Sequence, residues 1–327
     1  MGRLLRCILL AAAATILMSG HTMARSWPAD DQTIQIIVPA QGHGSTRDAI
    51  VQLISAKLAQ KLDRNLQILN QGGAAGSIAT ELAARSTPDG STLFFAWGEI
   101  LAIHPSLDRS TGQPALPGFD PIILIGDTPN ILVVNNDLPV HNLAEFTAYV
   151  RSHPGVVNFG SIGNGSYMHL AGLLYMNVTD TNMVHIPYSA AGLATSNLIS
   201  GEIQSMFQLV PGALEPLRAN KVKALGVMSA ARSPTLPDIP TMAEQGHPEL
   251  QSSNWFALLA PKGTPADVII TLNAAVNEIL QDPEVHDRLV HLGVSPRGGT
   301  PAELGEHMQN EQKKWRRIIS VSDMSIR

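Results

Sequence analysis

The chain has 327 residues, 44% of them hydrophobic and 15% charged, with a formal net charge of −5. That length exceeds one ordinary core and suits two domains of roughly 150 residues. The sparse, mildly acidic charge argues against a nucleic-acid partner, and a single cysteine, Cys7, excludes disulfides and Cys-based metal sites.

The N-terminus opens with Arg3 and Arg6, continues through the apolar run Cys7 to Met18, and leaves it by small residues ending at Ala24. This is the pattern of a secretory signal peptide cleaved near Ala24. Removing residues 1–24 takes away Cys7 and two arginines but no acid, so the exported chain is more acidic and has no thiol. Elsewhere no apolar run reaches the roughly 20 residues of a membrane span.

From there short apolar runs alternate with helical segments, which predicts α/β layers with mainly parallel sheets flanked by helices. The first strand, "QTIQIIVPA", leads into a helix near 46–61. A strand at 65–70, the loop "QGGAAG" and a helix from Ser77 to about Arg85 follow. "PDG" marks a turn before the strand 91–97. A polar, proline-containing connection then precedes two strands, 120–127 and 130–136, separated by Thr128-Pro129. The rhythm restarts with a helix at 143–153, a strand at 157–162 and a helix around 167–176. Next come a strand at 182–188, a helix near 191–199, and strands at 204–210 and 222–229. "SPTLPDIPT" reads as a surface crossover. The tail holds a strand at 254–261 and helices at 265–280, 283–292 and 301–319, each opening on proline, a favoured first-turn residue. Entry into the second block near Asp127 and exit near Ser229 divide the chain into a signal peptide (1–24), a domain built from 25–126 with 230–327, and a domain of 127–229. Two crossovers permit hinge closure around a ligand.

Two strand-to-helix junctions share one character. "GHGST" (Gly42–Thr46) follows the first strand, and "GSIGNGSYMHLAG" (Gly160–Gly172) follows the sixth, at "VNF". Glycines let the backbone turn, and a serine or threonine stands where the helix begins. The first N–H groups of a helix lack partners and carry the positive dipole end, so each junction suits an anion. Gly-Ser/Thr ahead of a helix is also an ordinary cap, and both readings stay open for a single loop. "GGAAGS" (Gly72–Ser77) is a third loop of this kind.

Other chemistries lack their partner residues. No Walker loop is present, "GHGSTR" breaks the dinucleotide pattern at Arg47, and there is no H-E-x-x-H zinc motif. No G-x-S-x-G elbow occurs, and His43 beside Ser45 has no third group to form a relay. A hydrolase built on Ser166 and His169 is the rival reading, without an assignable acid.

The ordered set "IQIIVP–QGHGST–D–A", "ILNQGGAAGSIATELAARSTPDGSTLFF", "ILVVN", "NFGSIGNGSYMHLAGLL", "MVHIPY", "LPDIPTMAEQG", "NWFALLAPKGTP" and "LNAAVNEILQDPEVHDRL" resembles the solute receptors of tripartite tricarboxylate transporters, the TctC-like or Bug binding proteins. The likeness covers essentially the whole chain after the export segment. It implies a two-domain, type II periplasmic binding protein of the Venus-flytrap kind, with no catalysis, no cofactor and no metal. It also implies a periplasmic location and a small organic carboxylate held between the domains. The expected partners are membrane transporter subunits or, alternatively, a sensor kinase, and the chain is expected to be a monomer.

Matched residue by residue, the family's binding loops fall on Ala40, Gln41, Gly44, Ser45 and Thr46, and on Ser161, Gly163, Gly165, Ser166 and His169. Gly76 and the Ala96–Trp97 strand end are further candidates, and Gln208 stands where the family carries Asp in "MFDN". Ala40-Gln41-Gly42-His43-Gly44 replaces the usual aromatic-Ala-Pro-Gly-Gly, and Ser189-Ala190-Ala191 replaces a basic residue followed by glycine. Arg47 reads as a one-residue insertion before Asp48. It is either a solvated arginine or a cation that reaches into the cleft for a second carboxylate.

Overall fold

A computed structural model describes residues 27, 33–40, 44–107 and 118–322. Residues 1–24, read above as an export segment and containing Cys7, and the loop residues Gln41 and His43 lie outside these residues.

Strand β1 (Ile34–Val38) is almost wholly buried and pairs in parallel with β2 (Leu66–Asn70) and β3 (Thr92–Trp97). Parallel pairing needs crossovers. Helices α1 (Thr46–Leu62) and α2 (Ser77–Ala84) supply them. Helix α1 starts where the Ser45 hydroxyl accepts the Asp48 N–H at 3.2 Å, and it ends at Asp63 in a left-handed cap with φ 52°. All six residues of β3 are buried, as expected of a strand covered on both faces.

The chain beyond β3 departs from the expected polar connection. Glu99–Ile103 forms a π-helical turn that runs into α3 (His104–Leu107). The reason is apolar: Ile100, Leu101, Ala102 and Ile103 are all buried, so this segment belongs to the core.

Strand β4 (Phe119–Asn135) is continuous over 17 residues, where two strands split at Thr128-Pro129 are expected. Pro129 stands opposite Ser253, and the next N–H, that of Asn130, donates to the Ser252 carbonyl at 2.8 Å. The ladder therefore passes the missing donor without a break. The first part of β4 pairs with β9 (Ser253–Pro261) and β10 (Ser295–Gly298). Its second part pairs with β7 (Ser205–Leu209) and β8 (Val222–Val227). Outside β7 lie β5 (Asn158–Ser161) and β6 (Val184–Pro187), giving the order β2-β1-β3-β9-β4-β7-β5-β6.

The α/β fold is mixed in its ladders. Those among β1, β2 and β3 and among β5, β6 and β7 are parallel, whereas every ladder of β4 is antiparallel. Direction explains this: β4 carries the chain from the first half into the second and β9 begins its return, so the two must oppose.

Helices α4 (Leu143–Ser152), α5 (Tyr167–Thr179) and α6 (Ala191–Ser200) occupy their expected places in the second half. Helix α7 (Val210–Arg218) was not expected, because Pro211 and Pro216 mask its period; Pro211 stands in its first turn, where proline is tolerated. Likewise β10 is too short and proline-containing to be read from pattern. Helices α8 (Ala266–Gln281), α9 (Pro283–His291) and α10 (Pro301–Val321) return to the first half. Thr300 and Glu303 close a capping box at the start of α10, which packs on β4, on the π-helical turn and on α5.

Asn130 is the hub where the halves meet. It is fully buried, its amide donates to the Phe207 carbonyl at 2.8 Å, and its side-chain oxygen accepts the Ser252 hydroxyl at 2.8 Å. Its own carbonyl accepts the Met228 N–H at 2.8 Å. Both passages of chain between the halves, β4 and the return through 228–252, are thus tied to one residue that also holds β7.

Candidate functional site

The ends of β1 and β3 define a cleft of about 290 Å³, lined among others by Ala40, Arg47, Gly76, Trp97, Glu99 and His104. Its position follows from topology. Strands β1 and β3 are neighbours whose crossovers leave a crevice beyond their C-terminal ends, the usual ligand position in open α/β sheets.

Arg47 lies in the first turn of α1, where the helix dipole disfavours a cation. Its guanidinium carbon sits 4.2 Å from the Trp97 ring centroid, a cation–π contact that holds the charge in the cleft wall. This is the cleft-facing alternative for Arg47. Trp97 is buried, and its indole N–H has no partner among the described residues. Gly76 has φ 91°, and a Cβ there would meet Ile100 at 2.6 Å and Pro39 at 3.2 Å, so only glycine lets the loop lie flat on the cleft floor.

The Ser45 hydroxyl of the first loop is engaged in capping. The Gly44 N–H donates to Asp48 at 3.0 Å, and Ser45 is the cap of α1, followed by the half-buried Thr46. In this arrangement the cleft wall offers Arg47, Trp97 and glycine backbone in place of the loop hydroxyls.

The second loop repeats the design in the other half and does not line this cleft. Ser166 caps α5, accepting the His169 N–H at 3.3 Å and donating to the Gly163 carbonyl at 2.8 Å. Gly163 and Gly165 have φ of 118° and 77°, which a side chain would strain. Ser161 is fully buried; it accepts the Gly163 N–H at 3.0 Å and bonds His185 Nε2 at 2.6 Å. The Gly165 N–H donates to His169 Nδ1 at 3.1 Å, so the proton of this ring resides on Nε2. His169 and His185 stack with centroids 3.8 Å apart. Burial pushes His169 down to about 3, with His185 adding to the effect, and pushes His185 down to about 4. Both rings are therefore neutral near pH 7, and they orient the loop. The Ser166 hydroxyl is spent on backbone and does not pair with the His169 ring.

Gln208, in β7, is buried and donates to the Thr195 hydroxyl at 3.1 Å, against α6. Sequence reasoning did not single out Glu99, Ile100 or His104. Their signal is the run "WGEILAIHP", a fourth place where a strand ends on glycine and an apolar helical segment begins. No group of three metal-ligating side chains occurs among the described residues.

Comparison with known proteins places this geometry. Residues 50–324 match the family described as "Tripartite tricarboxylate transporter family receptor". The Bordetella pertussis protein BugT is 33% identical over 315 residues, covering 96% of each chain. A Rhodopseudomonas palustris protein solved with adipate shares 29% identity at TM-score 0.73, covering 90% of this chain and 97% of its own. MatC from Rhodopseudomonas palustris, solved with malate, shares 30% identity at TM-score 0.69, covering 88% and 99%.

Proposed function

The chain belongs to the tripartite tricarboxylate transporter receptor family, and on that premise we propose that it is an exported, periplasmic solute-binding receptor for a small organic carboxylate. The observation that carries this reading is Arg47, held over Trp97 in the wall of a cleft that is also lined by Ala40, Gly76, Glu99 and His104. A guanidinium there forms charge-assisted hydrogen bonds to a carboxylate, stronger than neutral ones.

The two halves, 25–126 with 230–327 and 127–229, act as the closing domains. They turn about the junction at Asn130, where β4 changes partners. The cleft in the first half takes the acid, and the loop from Ser161 to His169 completes the enclosure from the second. The ligand contacts both halves only when they are together, so binding stabilises the closed state. The closed, loaded form is then what membrane transporter subunits recognise.

Thermal denaturation in the presence of adipate, malate, other di- and tricarboxylates and keto acids tests the reading. An acid at one hundred times its Kd adds about 2.7 kcal/mol of stability, and Arg47→Ala weakens that acid at least about tenfold. Neutral solutes that stabilise the chain while every acid fails would overturn it.

A further inference from the structure

The cleft holds two opposite charges that do not meet. Arg47 and Glu99 both line it, and neither makes an ion pair among the described residues. Three other part-buried carboxylates among the described residues are paired: Asp127 with Arg297, Glu311 with Lys314, and Asp120 with Lys262. A carboxylate left unmatched in the wall of a carboxylate cleft repels a second anion and attracts a cation.

Glu99 is half-buried and accepts no hydrogen bond from a described residue. The buried Tyr167 hydroxyl of α5 is pushed up first by burial and then by the charges of Glu311 and Glu99. His104 lines the same cleft. Its Nδ1 lies 3.0 Å from the Ala75 carbonyl, which can only accept, so Nδ1 is the donor there. One part of the cleft thus presents a cation on an aromatic face, and the lining also holds the Glu99 carboxylate and the His104 imidazole.

Resting on the carboxylate reading above, we propose that this cleft selects a zwitterion, an amino acid or related aminocarboxylate, with its carboxylate on Arg47 and its ammonium on Glu99. The charges of ligand and cleft then cancel pairwise, whereas a plain dicarboxylate sets its second anion against Glu99. Specificity is a difference of affinities, and Glu99 supplies the repulsive element against ligands without an amino group.

Calorimetric titration of the purified protein with matched pairs tests this: aspartate and succinate, glutamate and glutarate, leucine and 4-methylpentanoate, phenylalanine and 3-phenylpropanoate. The amino member of at least one pair binds about tenfold or more tighter than its deaminated partner, and Glu99→Gln brings that ratio toward one. The wild-type panel decides the matter even if the variant does not fold. Deaminated acids that bind as well as or better than their amino partners in every pair overturn the zwitterion proposal and leave the carboxylate reading standing. A panel in which no acid of either kind binds overturns both.

Discussion

Replacing Gly98 by alanine probes the contact through which the second half of the molecule is seated in the first. Gly98 has φ −58° and ψ −28°, a helical conformation open to any residue, so its backbone does not demand glycine. Space does. A Cβ at this position lies 1.9 Å from the Tyr167 hydroxyl and 2.6 Å from Trp255 Nε1. Ordinary contact is about 3.4 Å, so the hydroxyl must retreat by roughly 1.5 Å. Neither neighbour yields readily: Trp255 is fully buried, and Tyr167, only 1% exposed, stands edge-on to the buried Trp315. The overpacking cost is about 1–3 kcal/mol, and the lack of free space points to its upper end.

The Tyr167 hydroxyl has no partner among the described residues. Tyr167→Phe therefore loses no hydrogen bond and relieves a desolvation cost of about 1 kcal/mol. It also frees the space that the alanine needs. Urea unfolding followed by tryptophan fluorescence measures all three variants. Gly98→Ala lowers stability by about 2 kcal/mol or more, and the double variant recovers at least about 1 kcal/mol of that as a coupling energy. A Gly98→Ala cost below about 0.5 kcal/mol, or strictly additive variants, would refute the steric argument.

Acid has a defined effect on the second loop. His169 and His185 ordinarily titrate near 6.5 but are held at about 3 and about 4 in the fold. Protons therefore bind the unfolded chain first, and stability, full above 6.5, is lost as pH falls toward these values. The slope is about 1.4 kcal/mol per pH unit for His169 and smaller for the half-buried His185. Urea midpoints between pH 7 and 4 check this, and His169→Asn flattens the profile if the ring is its source. Asn130→Ala removes two buried side-chain hydrogen bonds, to Phe207 and Ser252, and lowers stability by about 2–4 kcal/mol in the same assay. Ser45→Ala costs about 1 kcal/mol through loss of the α1 cap; calorimetry with a bound acid shows little added loss of affinity if capping is its main work.

The strands and helices were legible wherever period and punctuation agreed. Strand β3 reads as a continuous apolar run, and α10 announces itself by Thr300, Pro301 and Glu303. Where proline entered an element, pattern failed. Thr128-Pro129 looked like a break because a lost donor is visible in sequence, whereas the Ser252 carbonyl that keeps the ladder running is 122 residues away from Asn130. Helix α7 was hidden by Pro211 and Pro216 in the same way. At the site, the two glycine-serine junctions were visible as caps that could also hold anions, and both serines are caps. Glu99 and His104 were missed because their segment was read as a polar connection, although its apolar residues are core.

Local chemistry is what the sequence by itself determined: capped helices, turning glycines, family, and an Arg47 that either faced water or faced a cleft. Only the tertiary structure puts Arg47 in a cleft wall, since the aromatic face that holds the guanidinium belongs to Trp97, on a strand 50 residues further along. It also places Glu99, a carboxylate without an ion pair among the described residues, in the same cleft as that cation. Charge complementarity between residues distant in sequence is a property of their separation in space, and no periodicity encodes it.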